Sequence, residues 1–323
     1  MSSRNRRKAP LLPRLFLLGL TTSSIFSFVG AEVPWFSLFS HFQLYSAAAW
    51  LVFLLLFKFL PAFPRAFWRP QRIPILACFF LFGHLLFIAS LWLPGSAPDL
   101  ESPDKVDIVW FNMMFKPTAL QQLEDILADD LPDIIALGEI APKTEVSLPG
   151  YPYQLRSAKD YILIVSKFPL ERAKLVQTPS RGREQPSARV VVGRRRFDLV
   201  AVHMRQPVYP SHYQEMQVIA ETAYKVDQAI LIGDFNTTVW SAEFRRLCRD
   251  ADLQHGRQGR GILNTWSLGP RRWIPLPIDH MLYKGEIEMT DFELMDWTYS
   301  DHRPIRGKFL LGGKRQRKAA SNL

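Results

Sequence analysis

Polar side chains in the second two-thirds of the sequence stand where short apolar runs break off or end, and their chemical types belong together. They are Asn112, Glu139, His203, Asp234, Asn236, Asp279, Asp301 and His302. Carboxylate and amide oxygens are hard ligands that suit Mg²⁺ or Mn²⁺ and disfavour zinc. A histidine paired with a carboxylate can take a proton from water. A cation at the phosphate oxygens and an activated water together provide what hydrolysis of a phosphodiester requires.

Each of these residues, taken alone, also has an ordinary structural explanation. An asparagine after a strand is usually a turn residue, and a single histidine on a strand is usually packed and hydrogen-bonded. The recurrence of such residues at strand ends is more informative, because strand ends are where a rigid scaffold presents side chains to a common rim. The set predicts a metal-dependent hydrolytic site, provided that these distant segments converge.

The elements that must position these side chains follow from the apolar pattern after residue 105. Apolar runs predict strands at 106–113, 133–140, 161–165, 188–192, 197–203, 229–233, 278–283, 287–294 and 304–311. Helical spacing and end signals predict helices over 117–130, 211–226 and 241–251. Many strands with few helices between them indicate an α/β fold, a four-layer sandwich of two packed mixed β-sheets flanked by helices, rather than a doubly wound sheet.

Three apolar stretches precede this part, at 15–31, 36–57 and 73–94, and none contains a charged residue. Lys58 directly follows the second stretch. Each is about as long as a helix needs to cross roughly 30 Å of hydrocarbon. A cleavable signal peptide would explain only the first, and buried core helices are the other alternative. We predict a membrane domain at 1–94 with transmembrane helices at about 13–31, 36–60 and 73–94, a linker at 95–104, a catalytic domain at 105–311 and a basic disordered tail at 312–323. His84, inside the third stretch, is expected to pack between helices.

The net charge of +10 comes largely from the membrane flanks. Residues 1–99 contain nine basic and two acidic residues, which leaves 31 basic and 28 acidic residues for the rest. Basic residues precede the first span and lie between the second and third, whereas the connection between the first and second has none. By the positive-inside rule, we expect an integral protein of the cell or inner membrane with its N-terminus in the cytoplasm and its catalytic domain on the periplasmic or extracellular side.

Six segments, in their order and wording, resemble the endonuclease/exonuclease/phosphatase superfamily, which includes deoxyribonucleases, apurinic endonucleases and neutral sphingomyelinases. They are WFN at 110–112, DIIALGE at 133–139, AVH at 201–203, GDFN at 233–236, PIDH at 277–280 and SDHRP at 300–304. The resemblance covers roughly residues 105–311. It implies a phosphoric-ester hydrolase of the phosphodiesterase or endonuclease type that depends on Mg²⁺, with Mn²⁺ as a possible substitute.

The resemblance also implies a role for each matching residue. His302 resembles the base that activates water, and Asp279 the residue that orients it. Asp234 and Asn236 resemble the pair that positions the nucleophile and the scissile phosphate. His203 matches the histidine that contacts phosphate or protonates the leaving oxygen.

For the metal, the resemblance implies that Glu139 is the main ligand, with Asn112 and Asp301 near the same ion. The sequence departs from the family pattern at Gly138, where a glutamine usually precedes the metal-binding glutamate, so one hydrogen bond of the family site is expected to be missing. This departure is the only support for the alternative, a catalytically inactive, membrane-tethered binding protein of the same fold.

The substrate stays open between a phospholipid or sphingolipid and a nucleic acid. Membrane tethering favours a lipid, whereas arginines could follow a nucleic-acid backbone. The alternative for these arginines is that they are ordinary solvated hairpin and loop residues. They are Arg181, Arg183, Arg194, Arg195, Arg196, Arg271 and Arg272. Trp266 and Trp273 near the expected rim could insert into lipid or stack on a base. The expected partners are the lipid bilayer and the phosphodiester substrate, and no obligate protein partner is predicted.

Overall fold

The structure, a computed structural model, describes residues 11–29, 33–61, 63–67, 69–93, 104–141, 144–146, 148–157, 159, 161–179, 183–268 and 273–312. The N-terminal basic residues 4–8, most of the predicted linker, the tail after residue 312, and the arginines at 181, 271 and 272 lie outside these ranges. The chain forms two compact units, an N-terminal helical unit and a β-rich unit that begins at Trp92.

The described residues of the N-terminal unit are mostly helical. Its α-helices are α1 (Leu11–Val29), α2 (Pro34–Ser37), α3 (Gln43–Phe59) and α4 (Ile73–Ala89), with 3₁₀ turns at Leu38–Phe42, Pro64–Ala66, Pro70–Arg72 and Ser90–Trp92. Three continuous helical stretches, Leu11–Val29, Trp35–Phe59 and Pro70–Trp92, are long and apolar enough to cross a membrane. The prediction of three such helices is confirmed.

A buried polar network joins the three long helices of this unit. The two ring nitrogens of His84 on α4 meet Ser24 Oγ of α1 and Gln43 Oε1 of α3. Trp50 Nε1 also donates to Ser24 Oγ, at 2.8 Å, and Gln43 Nε2 donates to Ser27 Oγ, at 2.8 Å. His84 therefore packs between helices, as expected, and the polar side chains of this network satisfy one another's hydrogen bonds.

The β-rich unit contains three α-helices and fourteen strands among its described residues. The helices are α5 (Pro117–Leu127), α6 (Ser211–Tyr224) and α7 (Ala242–Asp250). The strands are β1 (Lys105–Asn112), β2 (Ile134–Gly138), β3 (Tyr153–Ser157), β4 (Ile162–Ser166), β5 (Leu170–Gln177), β6 (Glu184–Val192), β7 (Arg195–His203), β8 (Ala229–Asp234), β9 (Gln254–His255), β10 (Trp266–Leu268), β11 (Ile274–Leu276), β12 (Asp279–Lys284), β13 (Ile287–Leu294) and β14 (Ile305–Leu311).

Twelve of these strands form two six-stranded sheets, and β10 and β11 form a separate hairpin. Sheet I has the order β13-β14-β1-β2-β4-β3, and sheet II has the order β5-β6-β7-β8-β12-β9. Each sheet is mixed, with one parallel pair, β1 with β2 in sheet I and β7 with β8 in sheet II. A parallel pair needs a crossover connection, and α5 and α6 supply the two crossovers.

The core lies between the sheets and follows from strand alternation. On β1, Val106, Ile108 and Trp110 join the cluster shared by both sheets, whereas Val109 and Phe111 face α5. On the far side of sheet II, α7 packs an aromatic ring against β12. The prediction of two packed mixed sheets flanked by helices is confirmed.

Five strands that the apolar pattern did not predict are β3, β5, β9, β10 and β11. Strand β5 is an edge strand with no buried residue, and β3, at the edge of sheet I, buries only Ser157. Edge strands pack one face or none against the core, so their sequences need no apolar run.

Candidate active site

The register of the sheets places most of the predicted site residues in neighbouring strands. Asn112 pairs with Gly138 at the ends of β1 and β2, one residue before Glu139. In sheet II, His203 pairs with Asp234, and Asp234 pairs with Asp279. The carboxyl ends of parallel strands meet at one edge of a sheet, so each sheet contributes its own group of polar side chains to the same end of the sandwich.

His302 and Asp279 form a buried pair. His302 Nδ1 donates to Asp279 Oδ2 at 2.8 Å, and His302 Nε2 lies 3.8 Å from Asp234 Oδ2. Burial opposes the charge of the imidazole, but the charge and hydrogen bond of Asp279, followed by the charges of Asp234 and Asp301, raise the pKa of His302 to about 10. Without a bound cation His302 therefore carries a proton at neutral pH.

Asp234 is a buried carboxylate whose surroundings oppose its ionisation. It accepts hydrogen bonds from Asn236 N at 2.8 Å, Asn236 Nδ2 at 3.1 Å and Asn112 Nδ2 at 3.3 Å. Even so, burial and the neighbouring charge of Asp279 raise the pKa of Asp234 to about 7, against the lowering charges of the two site histidines. Asp234 therefore takes up a proton more readily than an ordinary aspartate does.

Glu139 and His203 close the other side of this group. His203 Nε2 lies 3.3 Å from Glu139 Oε1 and 3.9 Å from Asp234 Oδ2. Arg183 Nη2 lies 3.2 Å from His203 Nδ1, and because a guanidinium only donates, the ring proton of His203 is on Nε2, facing Glu139. Burial opposes ionisation of Glu139, but the hydrogen bond and charge of His203 and the hydrogen bond of Asn112 lower its pKa.

The backbone at Glu139 is unusual, since its φ of +50° lies in the left-handed region that residues with a Cβ adopt rarely. The carbonyl of Glu139 accepts a hydrogen bond from Phe115 N at 2.8 Å, and Phe115 has a φ of +56°. Asn236 shares this conformation, with a φ of +49°. Such conformations cost of order 1 kcal/mol each and persist where the surrounding structure holds them, often at functional sites.

The predicted metal ligands are only partly brought together. The Asn112 amide nitrogen donates to Glu139 Oε1 at 3.2 Å, while its oxygen accepts from Met114 N at 3.0 Å. Asn112 would therefore have to turn its amide to offer an oxygen to an ion. Asp301 Oδ2 instead accepts a hydrogen bond from Trp266 Nε1 at 2.9 Å.

The atoms of Asp234, Asp279 and His302 are the group of possible metal ligands that lie within 4.8 Å of one another among the described residues. Asp279 and His302 already bond to each other, so we regard them as a dyad and not as ligands. One Asn112 nitrogen lies within hydrogen-bond distance of both Glu139 Oε1 and Asp234 Oδ2, so these two carboxylates lie close together. Neighbouring carboxylate oxygens of this kind suit a hard cation. A bound cation would also offset the charge of Asp279, which contributes to the raised pKa of Asp234.

Sequence reasoning missed the residues that support Asp279 from behind. Arg257, only 1% exposed, donates to the Asp279 carbonyl at 2.7 Å and to His280 Nδ1 at 3.2 Å. Thr265 Oγ1 accepts from Asp279 N at 3.0 Å. Arg257 and Thr265 lie in segments with no motif, so no signal in the sequence identified them.

Comparisons with known proteins agree with this fold. The model of the Endonuclease/Exonuclease/phosphatase family matches residues 109–302, and the chain belongs to this family. The family assignment makes the protein a hydrolase of phosphoric esters, as the resemblance predicted.

Solved structures share the fold at low sequence identity. The D. rerio TDP2 structure complexed with single strand DNA product has a TM-score of 0.53 at 15% identity and covers 64% of this chain and 98% of its own. A family protein from Leptotrichia buccalis C-1013-b has a TM-score of 0.52 at 14% identity, with 63% and 99% covered. No curated protein sequence matches the chain.

Proposed function

We propose that the protein is a membrane-anchored, Mg²⁺-dependent phosphodiester hydrolase, with Mn²⁺ as a possible substitute. The observation that carries this proposal is the meeting of Glu139, Asp234, His203 and the His302–Asp279 pair at one end of the sandwich, within hydrogen-bond or near-contact distances. Carboxylates beside a histidine dyad combine a place for a hard cation with a group that can take a proton.

In this proposal, His302 Nε2 takes a proton from the attacking water, while Asp279 fixes the ring through Nδ1. Asp234 and Asn236, bonded to each other, orient the water and the scissile phosphate. His203, whose Nε2 carries the ring proton, donates a hydrogen bond to a phosphate oxygen, and the leaving oxygen takes its proton from solvent water. A cation held by Glu139, with Asn112 and Asp301 nearby, would neutralise phosphate charge and oppose protonation of His302.

The test is hydrolysis of bis-p-nitrophenyl phosphate by the full-length protein in detergent with Mg²⁺. We expect His302→Ala to lower kcat by about 100-fold or more, since general base catalysis contributes about that factor. His255→Phe, a histidine replacement outside the group, is the matched control and should retain wild-type kcat. Equal kcat values for wild type and His302→Ala would contradict the proposed role of His302.

The substrate class needs its own panel of single-stranded DNA, double-stranded DNA, RNA and phospholipid or sphingomyelin vesicles. The DNA-bound TDP2 structure supports including nucleic acid, and the apolar helices support including lipid. Arg195 and His203 mark opposite ends of β7, so the arginine turn at 194–196 lies roughly 26 Å along the strand from the site. A nucleic acid would therefore need a long footprint to contact both.

The orientation is also part of the proposal. Arg65 and Arg69 lie in the connection between the second and third spans, and Arg72 lies at the start of the third. By the positive-inside rule these residues favour the cytoplasmic side for that connection and the opposite side for the catalytic domain. Fusions of alkaline phosphatase and of a fluorescent protein to the C-terminus test it. Active phosphatase would support an outward-facing domain, and fluorescence without phosphatase activity would contradict it.

A further inference from the structure

Position 138 has no room for a side chain. A Cβ built on Gly138 would lie 2.6 Å from Trp110 Cη2 and 2.9 Å from Cζ2, far below ordinary contact distance. Trp110 is fully buried, on the strand adjacent to Gly138 in sheet I. The space that a larger residue would fill is therefore filled by the indole of Trp110.

This indole reaches across the interior from sheet I to sheet II. Its Nε1 donates to Asp279 Oδ1 at 2.8 Å, and Asp279 is the first residue of β12. The side chains around Trp110 in the core are apolar, so the hydrogen bond joins the two sheets where other contacts are hydrophobic. A bond of this kind holds the carboxylate in one orientation.

The two oxygens of Asp279 have separate partners. Oδ1 accepts from Trp110 and Oδ2 accepts from His302 Nδ1, both at 2.8 Å, and Asp279 is fully buried. Burial alone would disfavour the charged carboxylate, but His302 and the hydrogen bonds of Thr265 and Trp110 keep the pKa of Asp279 below its usual range. Loss of the indole donor would remove one of the hydrogen bonds that hold this buried, charged carboxylate.

We infer that Trp110 is a positioning residue, which holds the Asp279 carboxylate so that Oδ2 faces His302, and that Gly138 is the residue that makes room for it. The inference rests on the proposed function for its catalytic consequence. It also gives a packing reason for the glycine at position 138, because any side chain there would collide with Trp110. The glycine then accompanies Trp110 and is not merely the loss of a hydrogen bond.

The experiment is a double-mutant cycle on the full-length protein in detergent. Trp110→Phe keeps an aromatic ring and removes the N–H, and we expect kcat to fall about tenfold to a hundredfold with KM unchanged, as for loss of one charge-assisted hydrogen bond. In an Asp279→Ala background, Trp110→Phe should lower kcat by less than twofold, because its target is gone.

Tyr151→Phe is the matched control. It removes another buried donor, the hydroxyl that bonds to the Pro132 carbonyl at 2.7 Å in the outer layer of sheet I, and it should leave kcat unchanged in both backgrounds. A purely structural role for Trp110 would instead lower the unfolding temperature and leave kcat per folded molecule intact.

The outcomes separate this inference from the proposed function. If the wild type is active and Trp110→Phe leaves kcat unchanged, the inference is overturned and the proposed function stands. The same holds if Trp110→Phe lowers kcat by the same factor in the wild-type and Asp279→Ala backgrounds. If the wild type hydrolyses no substrate of the panel, the proposed function fails, and the same cycle measured by thermal unfolding decides the inference. Additive effects of Trp110→Phe and Asp279→Ala on stability would then overturn it.

Discussion

Asp234→Asn should stabilise the cation-free protein at alkaline pH, although it removes a central site residue. Burial and the charge of Asp279 raise the pKa of Asp234 from 3.8 to about 7. Because the folded protein holds this proton more tightly than the unfolded chain does, the contribution of Asp234 to stability is fully present below pH 3.8 and is lost as pH rises through about 7. An asparagine cannot ionise, so the variant escapes this loss.

The magnitude follows from two opposing terms. A pKa raised by about three corresponds to on the order of 4 kcal/mol of lost stability at pH 8, and to less than about 1 kcal/mol at pH 4. The new amide would face the nitrogens of Asn112 and Asn236, which now donate to Oδ2, at a cost of about 1–3 kcal/mol that does not change with pH. We therefore expect the variant to be more stable than wild type at pH 8 by about 1–3 kcal/mol and less stable at pH 4.

The assay is thermal or denaturant unfolding of both proteins in detergent with a chelator, from pH 4 to pH 8. Asp250→Asn, which changes an exposed carboxylate on α7, is the control and should follow the wild-type curve. Addition of Mg²⁺ at pH 8 should stabilise the wild type more than Asp234→Asn. The cation would bind better beside the ionised Asp234 carboxylate than beside the neutral asparagine. Parallel curves for wild type and Asp234→Asn across this pH range would refute the reasoning.

Three further predictions concern other parts of the β-rich unit. Gly138→Ala should destabilise the protein by about 1–3 kcal/mol through the clash with Trp110, and Trp110→Phe should relieve part of this cost, measured by unfolding of the single and double variants. Arg306→Met should cost about 2 kcal/mol in the same assay, because it leaves Asp107, bonded at 2.6 Å, without its partner on a neighbouring strand. Burial, then the charge of Arg257, lowers the pKa of His255 to about 4. The stability that comes from keeping His255 neutral is present above pH 6.5 and is lost as pH falls toward 4. Between pH 7 and pH 5, His255→Phe should therefore lose up to about 2 kcal/mol less unfolding free energy than wild type. Equal losses in the two proteins would contradict this prediction.

The sequence alone was sufficient for the parts of this protein that depend on local pattern. Uncharged apolar stretches about 20 residues long predict helices of spanning length, and three are present. Continuous apolar runs predict the central strands, because a strand buried on both faces needs apolar residues at every position. Polar residues at the ends of these strands identify His203, Asp234 and Asp279, which the register places side by side.

Tertiary structure alone decided which of these residues bond to which. Trp110 and Asp279 are 169 residues apart, and their hydrogen bond depends on how the two sheets pack, which no local period encodes. Contacts between segments far apart in the sequence likewise direct the Asn112 amide nitrogen to Glu139 and the Trp266 indole N–H to Asp301. Edge strands such as β5 escaped prediction because solvent, and not the core, covers their side chains. Local patterning determines which residues reach the site, whereas the long-range packing of the sheets determines their partners, orientation and charge.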